Sequence, residues 1–97
     1  MTFEIFKTSL AKENSPTGID PLLEALWHDA KGNWSEAHNI AQDITTKEGS
    51  WIHAYLHRKE GDQSNAGYWY HRAQKELPVV SLEREWESLV KAMINKK

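Results

Sequence analysis

The sequence predicts a small all-helical domain: a compact bundle of about five helices, in which two tandem helical hairpins are followed by a C-terminal capping helix. Three observations carry this expectation. Apolar residues recur at helical spacing in successive windows. Each window is opened by a Ser, Thr, Asp or Asn and closed by a Gly or Pro. The middle of the chain also matches itself when displaced by 29 residues, Ala25 falling on Ala54.

In the N-terminal segment, 1–18, Phe3, Phe6 and Leu10 have helical spacing and Thr2 is placed to cap a short helix. Asn14–Gly18 reads as a loop. The first hairpin, 19–47, opens at Asp20-Pro21. The Asp side chain accepts a backbone N–H, and Pro occupies the first position, where no intrahelical N–H partner is needed. Leu22, Leu23, Leu26, Trp27 and Ala30 form the apolar face, and Gly32 ends the helix. Asn33 caps the next helix with Glu36 three residues on, as in a capping box, and Ala37, Ile40, Ala41 and Ile44 form one stripe. Thr45–Ser50, which contains Gly49, reads as a turn.

In the second hairpin, 48–78, Ser50 is the expected cap of a helix carrying Trp51, Ile52, Tyr55 and Leu56, which stops at Gly61. Asp62 or Ser64 caps its partner. Ala66, Trp69, Tyr70, Ala73 and Leu77 supply that partner's stripe, and Pro78 blocks its continuation. In 79–97, Ser81 caps a helix with Leu82, Trp86, Leu89, Val90 and Met93 on one face. Glu83 and Glu85 at its start, and Lys96 and Lys97 beyond its end, suit the helix dipole.

Composition narrows the function. The chain has 97 residues, enough for one domain, and a net charge of -2 with His neutral. That balance provides no basic surface for nucleic acid; Lys91, Lys96 and Lys97 read as a solvated helix end. Protonating all five His would carry the charge to +3 (-2 plus 5), so the surface is sensitive to mild acid. With no Cys, a disulfide framework, a thiolate metal site and a thiol nucleophile are excluded. No apolar run reaches the ~20 residues that span a bilayer, and the first residues lack signal-peptide character, so a cytoplasmic location away from membranes is expected. Gly32 and Gly61 are isolated, so no phosphate loop is present, and no Ser has the surroundings of a nucleophile elbow. Nucleophilic catalysis finds no positive support.

The internal match runs from ALWHDAKGNWSEAHNIAQDI (25–44) to AYLHRKEGDQSNAGYWYHRA (54–73). Identities fall at Ala25/Ala54, His28/His57, Gly32/Gly61, Ser35/Ser64 and Ala37/Ala66, with Asn33/Asp62 conservative. GNWSEA (32–37) resembles the turn of tetratricopeptide repeats. GDQSNAGYWYHRA (61–73) is similar to the Sel1-like form, with its Ala, Trp-Tyr pair, basic residue and Ala. Pro78 stands where such a repeat closes. The resemblance covers Asp20–Pro78. It departs from the family in the 29-residue offset against a period of ~34, in lacking the Leu-Gly pair of the first helix, and in placing His28 and His57 where an aromatic is usual. Two units are also fewer than the ~3 a stack needs, so a closed bundle is expected rather than a solenoid. HAYLHRKEGD with NAGYWYHRA is further similar to a signature of small bacterial proteins, a likeness that implies no function.

The repeat resemblance implies a non-catalytic scaffold that binds a protein or an extended peptide in a groove between first helices. Glu24, His28, His53, His57 and Arg58 would line it, with Tyr68 and Arg72 beside it. An open repeat face also suits a homodimer. A second reading is a small metal-binding protein or enzyme built on a His/Glu cluster of His28, His53 and His57. His53 and His57 are four apart on one helical face, with Glu60 three further on, and two imidazoles at that spacing converge on a zinc or copper ion. The H-E-x-x-H pattern is absent, since Ala54 stands where its Glu belongs. A third ligand has to come from His28, Glu24 or His71. The competing role for these His is polar packing between helices.

Overall fold

Each helix begins where the sequence offers a side-chain acceptor. In the computed structural model, which describes residues 1–96, six α-helices follow one another: α1 Phe3–Ser9, α2 Pro21–Ala30, α3 Trp34–Gln42, α4 Lys47–Glu60, α5 Gln63–Arg72 and α6 Leu82–Asn95. There is no strand among the described residues. Lys97, expected beyond the last helix, lies outside them. Thr2, Asp20, Asn33, Thr46, Asp62 and Ser81 cap the six helices, each side chain accepting a backbone N–H of the first turn.

The two hairpins are α2/α3 and α4/α5, and their turns are built alike. Gly32 (φ 84°) and Gly61 (φ 91°) both occupy the left-handed region that glycine enters without steric cost. The next residue, Asn33 or Asp62, donates its backbone N–H to the carbonyl of His28 or His57, at 2.9 Å in each turn. The repeat read from the sequence is thus a repeat of turn geometry. α3 packs on α4 to join the hairpins, α6 lies across α2 and α4, and α1 covers α6.

The core lies between α2, α4 and α6, where Leu26, Trp27, Ile52, Leu56, Leu89 and Val90 are buried together with Phe6 of α1. Ala54, Ala66 and Tyr70 form a smaller cluster between α4 and α5. Tryptophans packed in or against the core still need partners for their N–H groups. Trp27 donates to Ser9 Oγ at 3.1 Å, Trp34 to the Leu56 carbonyl at 2.8 Å and Trp86 to the Leu26 carbonyl at 3.1 Å.

A buried carboxylate fastens the second hairpin to α6. Glu85, 3 % exposed, accepts the Tyr70 hydroxyl at 2.6 Å, the Trp51 indole N–H at 3.2 Å and the Arg58 guanidinium at 2.8 Å. Arg58 also donates to the Val80 carbonyl. Burial, followed by the hydrogen bond to Glu85, pushes the Tyr70 hydroxyl well above the usual phenol range. Asp29, also buried, pairs with Lys59 at 3.0 Å and so ties α2 to α4.

Two boundaries differ from the expected ones. α4 begins at Lys47 with Thr46 as its cap, so Ser50 and Gly49 lie inside the helix rather than in a turn. Gly49 is there for space: a Cβ on it would stand 2.1 Å from the Ile44 carbonyl oxygen. α5 ends at Arg72, and Leu77, expected in its apolar stripe, is 67 % exposed. Gln74 takes φ 59°, and the Lys75 N–H closes on the Tyr70 carbonyl at 3.0 Å. The helix is capped before its pattern runs out, so the apparent continuation of the stripe to Leu77 was fortuitous.

Candidate metal centre

His53 and His57 share the face of α4 that meets α3 and α5. Their spacing of four residues stacks the two rings with centroids 4.8 Å apart. Both residues are 7 % exposed. The α4 face is met by His38 of α3, a residue that the sequence reading did not select. His38 Nε2 lies 3.0 Å from His53 Nε2, and its ring centroid lies 5.2 Å from that of His57. One ring nitrogen from each of His38, His53 and His57 falls within 4.8 Å of the other two.

Aromatic rings hold the imidazoles in place. Trp34, four residues before His38 on α3, stacks on it at 4.9 Å and 13°. Trp69 of α5 stacks on His53 at 4.1 Å and 23°. Trp34 is itself anchored to the α4 backbone through the Leu56 carbonyl. Three helices therefore determine the positions of the three imidazoles. Glu60, at the end of α4, pairs with His57: Nδ1 and Glu60 Oε2 are 2.6 Å apart. The neutral tautomer that donates Nδ1–H to such a carboxylate carries its lone pair on Nε2. A carboxylate on the far nitrogen is how metal-binding His are commonly oriented and made more basic.

The cluster disfavours protons. Burial, followed by the neighbouring His38 and His57, lowers the His53 pKa to about 4. Burial and His57 also lower that of His38, against an opposing pull from Glu60. Both rings are therefore neutral at pH 7, the form that ligates metals.

This has a consequence for stability in acid. The unfolded chain binds protons at these two His near pH 6.5, whereas the folded chain resists them. Their contribution is thus complete above about pH 6.5 and is lost as pH falls towards about 4. Metal-free protein is expected to show a falling melting temperature across that window, and a His38→Gln, His53→Gln variant a flatter profile. Parallel profiles for the two proteins would contradict this.

Of the residues expected at a site, His53 and His57 stand in the cluster. Arg72 and Tyr68 border it through Trp69: the Arg72 guanidinium lies 5.5 Å from the Trp69 ring and donates to the Tyr68 hydroxyl at 3.2 Å. His28 pairs instead with Glu24 along α2 at 3.7 Å and touches none of the three His. His71 is exposed on α5, and Arg58 is turned to Glu85. The third imidazole is thus His38, in place of the expected His28, Glu24 or His71. His28 matches His57 by repeat, but no helix precedes α2 in the place that α3 takes before α4. His38 has no counterpart in the repeat either, since it falls on Gly67. The available signal was Trp34 and His38 at i, i+4 on the helix preceding His53 and His57.

No protein-family model matches the chain, and no curated protein or solved structure is significantly similar to it.

Proposed function

We propose that this protein binds a divalent transition metal, zinc(II) foremost, through His38, His53 and His57. The observation that carries this reading is the convergence of one ring nitrogen from each of three imidazoles within 4.8 Å of one another, with Glu60 against Nδ1 of His57. Zinc–nitrogen bonds of ~2.0–2.1 Å in tetrahedral array set their nitrogens roughly 3.3 Å apart. The His38–His53 pair at 3.0 Å needs to open by only a few tenths of an ångström. Three imidazoles without a thiolate suit zinc(II), copper(II) and nickel(II) better than copper(I). The ion would clamp α3 to α4 and so fasten one hairpin to the next.

Untagged protein stripped with chelator is expected to take up zinc at a ratio of at least one per chain. Free zinc at 100 times its Kd adds about 2.7 kcal/mol, which raises the melting temperature of a domain this small by roughly 10–20 °C. The absence of both calorimetric heat and a thermal shift at tenfold excess zinc would remove the proposal.

The protein- or peptide-binding role implied by the repeat resemblance keeps one local support, the exposed Tyr68 beside Arg72 on α5. This second proposal is tested by capture from native extract with wild type and with a Tyr68→Ala, Arg72→Ala variant. A partner lost by the variant supports it, whereas the same proteins on both count against it.

A further inference from the structure

The start of α4, the turn after α5 and the end of α6 border a cleft of about 340 Å³, a size within the ~300–1,000 Å³ usual for small-ligand sites. Its floor is apolar and its rim is basic. Trp51, Ala73, Ala92 and Met93 supply the apolar surface, and Lys47, Lys75 and Lys96 surround it, with Glu48 as the one acidic lining residue. We propose that this cleft binds a small phosphate monoester carrying a planar ring, of the nucleoside monophosphate kind, with the phosphate among the lysines and the ring against Trp51. The cleft shares no residue with the histidine cluster, so this inference stands independently of the metal-binding reading.

Charge selects the phosphate. Elsewhere in the chain basic side chains are committed to carboxylates: Lys59 to Asp29 at 3.0 Å, Arg58 to Glu85 at 2.8 Å and Lys91 to Glu87 at 2.7 Å. Among the described residues, Lys47 and Lys75 take part in no ion pair, and Lys96 has a loose one with Asp20 at 3.6 Å. Three ammonium groups against the Glu48 carboxylate leave the lining with a formal charge of +2 (3 minus 1). A phosphate monoester carries about -1.5 to -2 near pH 7 and matches that charge, whereas a monocarboxylate leaves one ammonium over. Lysine binds phosphate as a point charge and needs no glycine loop to do so.

Two features of the backbone and core set this arrangement. Gln74, which also lines the cleft, is the one non-glycine residue with positive φ among the described residues, at 59°. A side chain with a Cβ adopts that conformation at a cost, and such strain gathers at binding sites. It turns the chain so that Lys75, its N–H on the Tyr70 carbonyl at 3.0 Å, places its ammonium 4.1 Å from the centre of the Trp51 ring. Trp51 is fixed from the core side by its N–H to Glu85 at 3.2 Å, so the ring is a rigid platform. An indole face is a weak partner for an ammonium. Lys75, on its flexible stem, exchanges it for the phosphate and leaves the face to the ligand's ring.

The test titrates the full untagged chain with adenosine monophosphate in a calorimeter, with chelator present so that no ion on the histidines can hold the phosphate. Saturable binding of one nucleotide per chain is expected. Adenosine and inorganic phosphate, each lacking one half of the ligand, are expected to bind at least about tenfold more weakly, the weight of one charged hydrogen bond. A Lys47→Gln, Lys75→Gln variant is expected to lose at least about tenfold in nucleotide affinity with its melting temperature unchanged, because both side chains are exposed. In nitrogen-edited NMR spectra the indole N–H of Trp51 is expected to shift on binding, while that of Trp27, buried against Ser9, stays in place. Three results would overturn the proposal: no saturation below about 1 mM, equal affinity in the variant, or adenosine binding as well as its monophosphate. Inorganic phosphate binding as well as the nucleotide would equally overturn it, by showing that the ring finds no seat on Trp51.

Discussion

In a His38→Ala variant, zinc affinity is expected to fall by at least about 100-fold, while His28→Ala and His71→Ala leave it unchanged. Loss of a carboxylate that merely orients a ligand commonly weakens metal binding 10–100-fold, and His38 is itself one of three ligands. It is also the most accessible of the three, half-buried against Trp34, so the variant retains the core and its loss is one of chemistry rather than folding. Calorimetric titration of the three variants measures this directly. Equal losses in His28→Ala and His38→Ala would show that the ion sits elsewhere. The comparison separates the structure from the sequence pattern, because His28 is the repeat partner of His57 and His38 is not.

The largest stability effect is expected at Glu85. Truncation to Ala leaves the Arg58 guanidinium uncompensated and strips the Tyr70 hydroxyl and the Trp51 N–H of their acceptor. Breaking a buried ion pair from one side costs about 3–5 kcal/mol, and each buried donor left unpaired adds to it. A chain of this length has about 5–15 kcal/mol in total, so the variant is expected to lose a large share of it. With roughly 4–8 °C per kcal/mol, its melting temperature falls by tens of degrees. Urea denaturation followed by tryptophan fluorescence checks the figure. A cost below 1 kcal/mol would mean that water replaces the carboxylate and that the network does not hold the second hairpin to α6. Pairing Glu85→Leu with Arg58→Met is expected to regain part of the loss, since an apolar pair removes the stranded charge.

These two expectations differ in how far the chain itself announced them. His53 and His57 were readable as a pair because four residues on a helix is a local relation. Their partner was not, because α3 reaches them only after the hairpins stack. Glu85 was readable as a favourable first-turn acid on α6. Its burial under Tyr70 and Arg58 followed from a contact 15 and 27 residues distant in sequence. Arg58, read as a binding residue, is used up in that contact. Leu77 and Gly49 were misread for a related reason: apolar spacing and a glycine each have more than one physical cause, and only the path of the chain chooses between them.

What the sequence determined by itself was local: an all-helical chain of about five or six helices, their capping side chains except at α4, the glycine bends at Gly32 and Gly61, and the faces turned to the core. Hydrogen bonds and dihedral preferences within a few residues suffice for these. Tertiary structure alone decided which histidines meet and which carboxylate is buried. It also decided which arginine is spent on packing, because those depend on how one hairpin rests against the next. That arrangement comes from interlocking side chains distant along the chain, and no spacing within one helix encodes it.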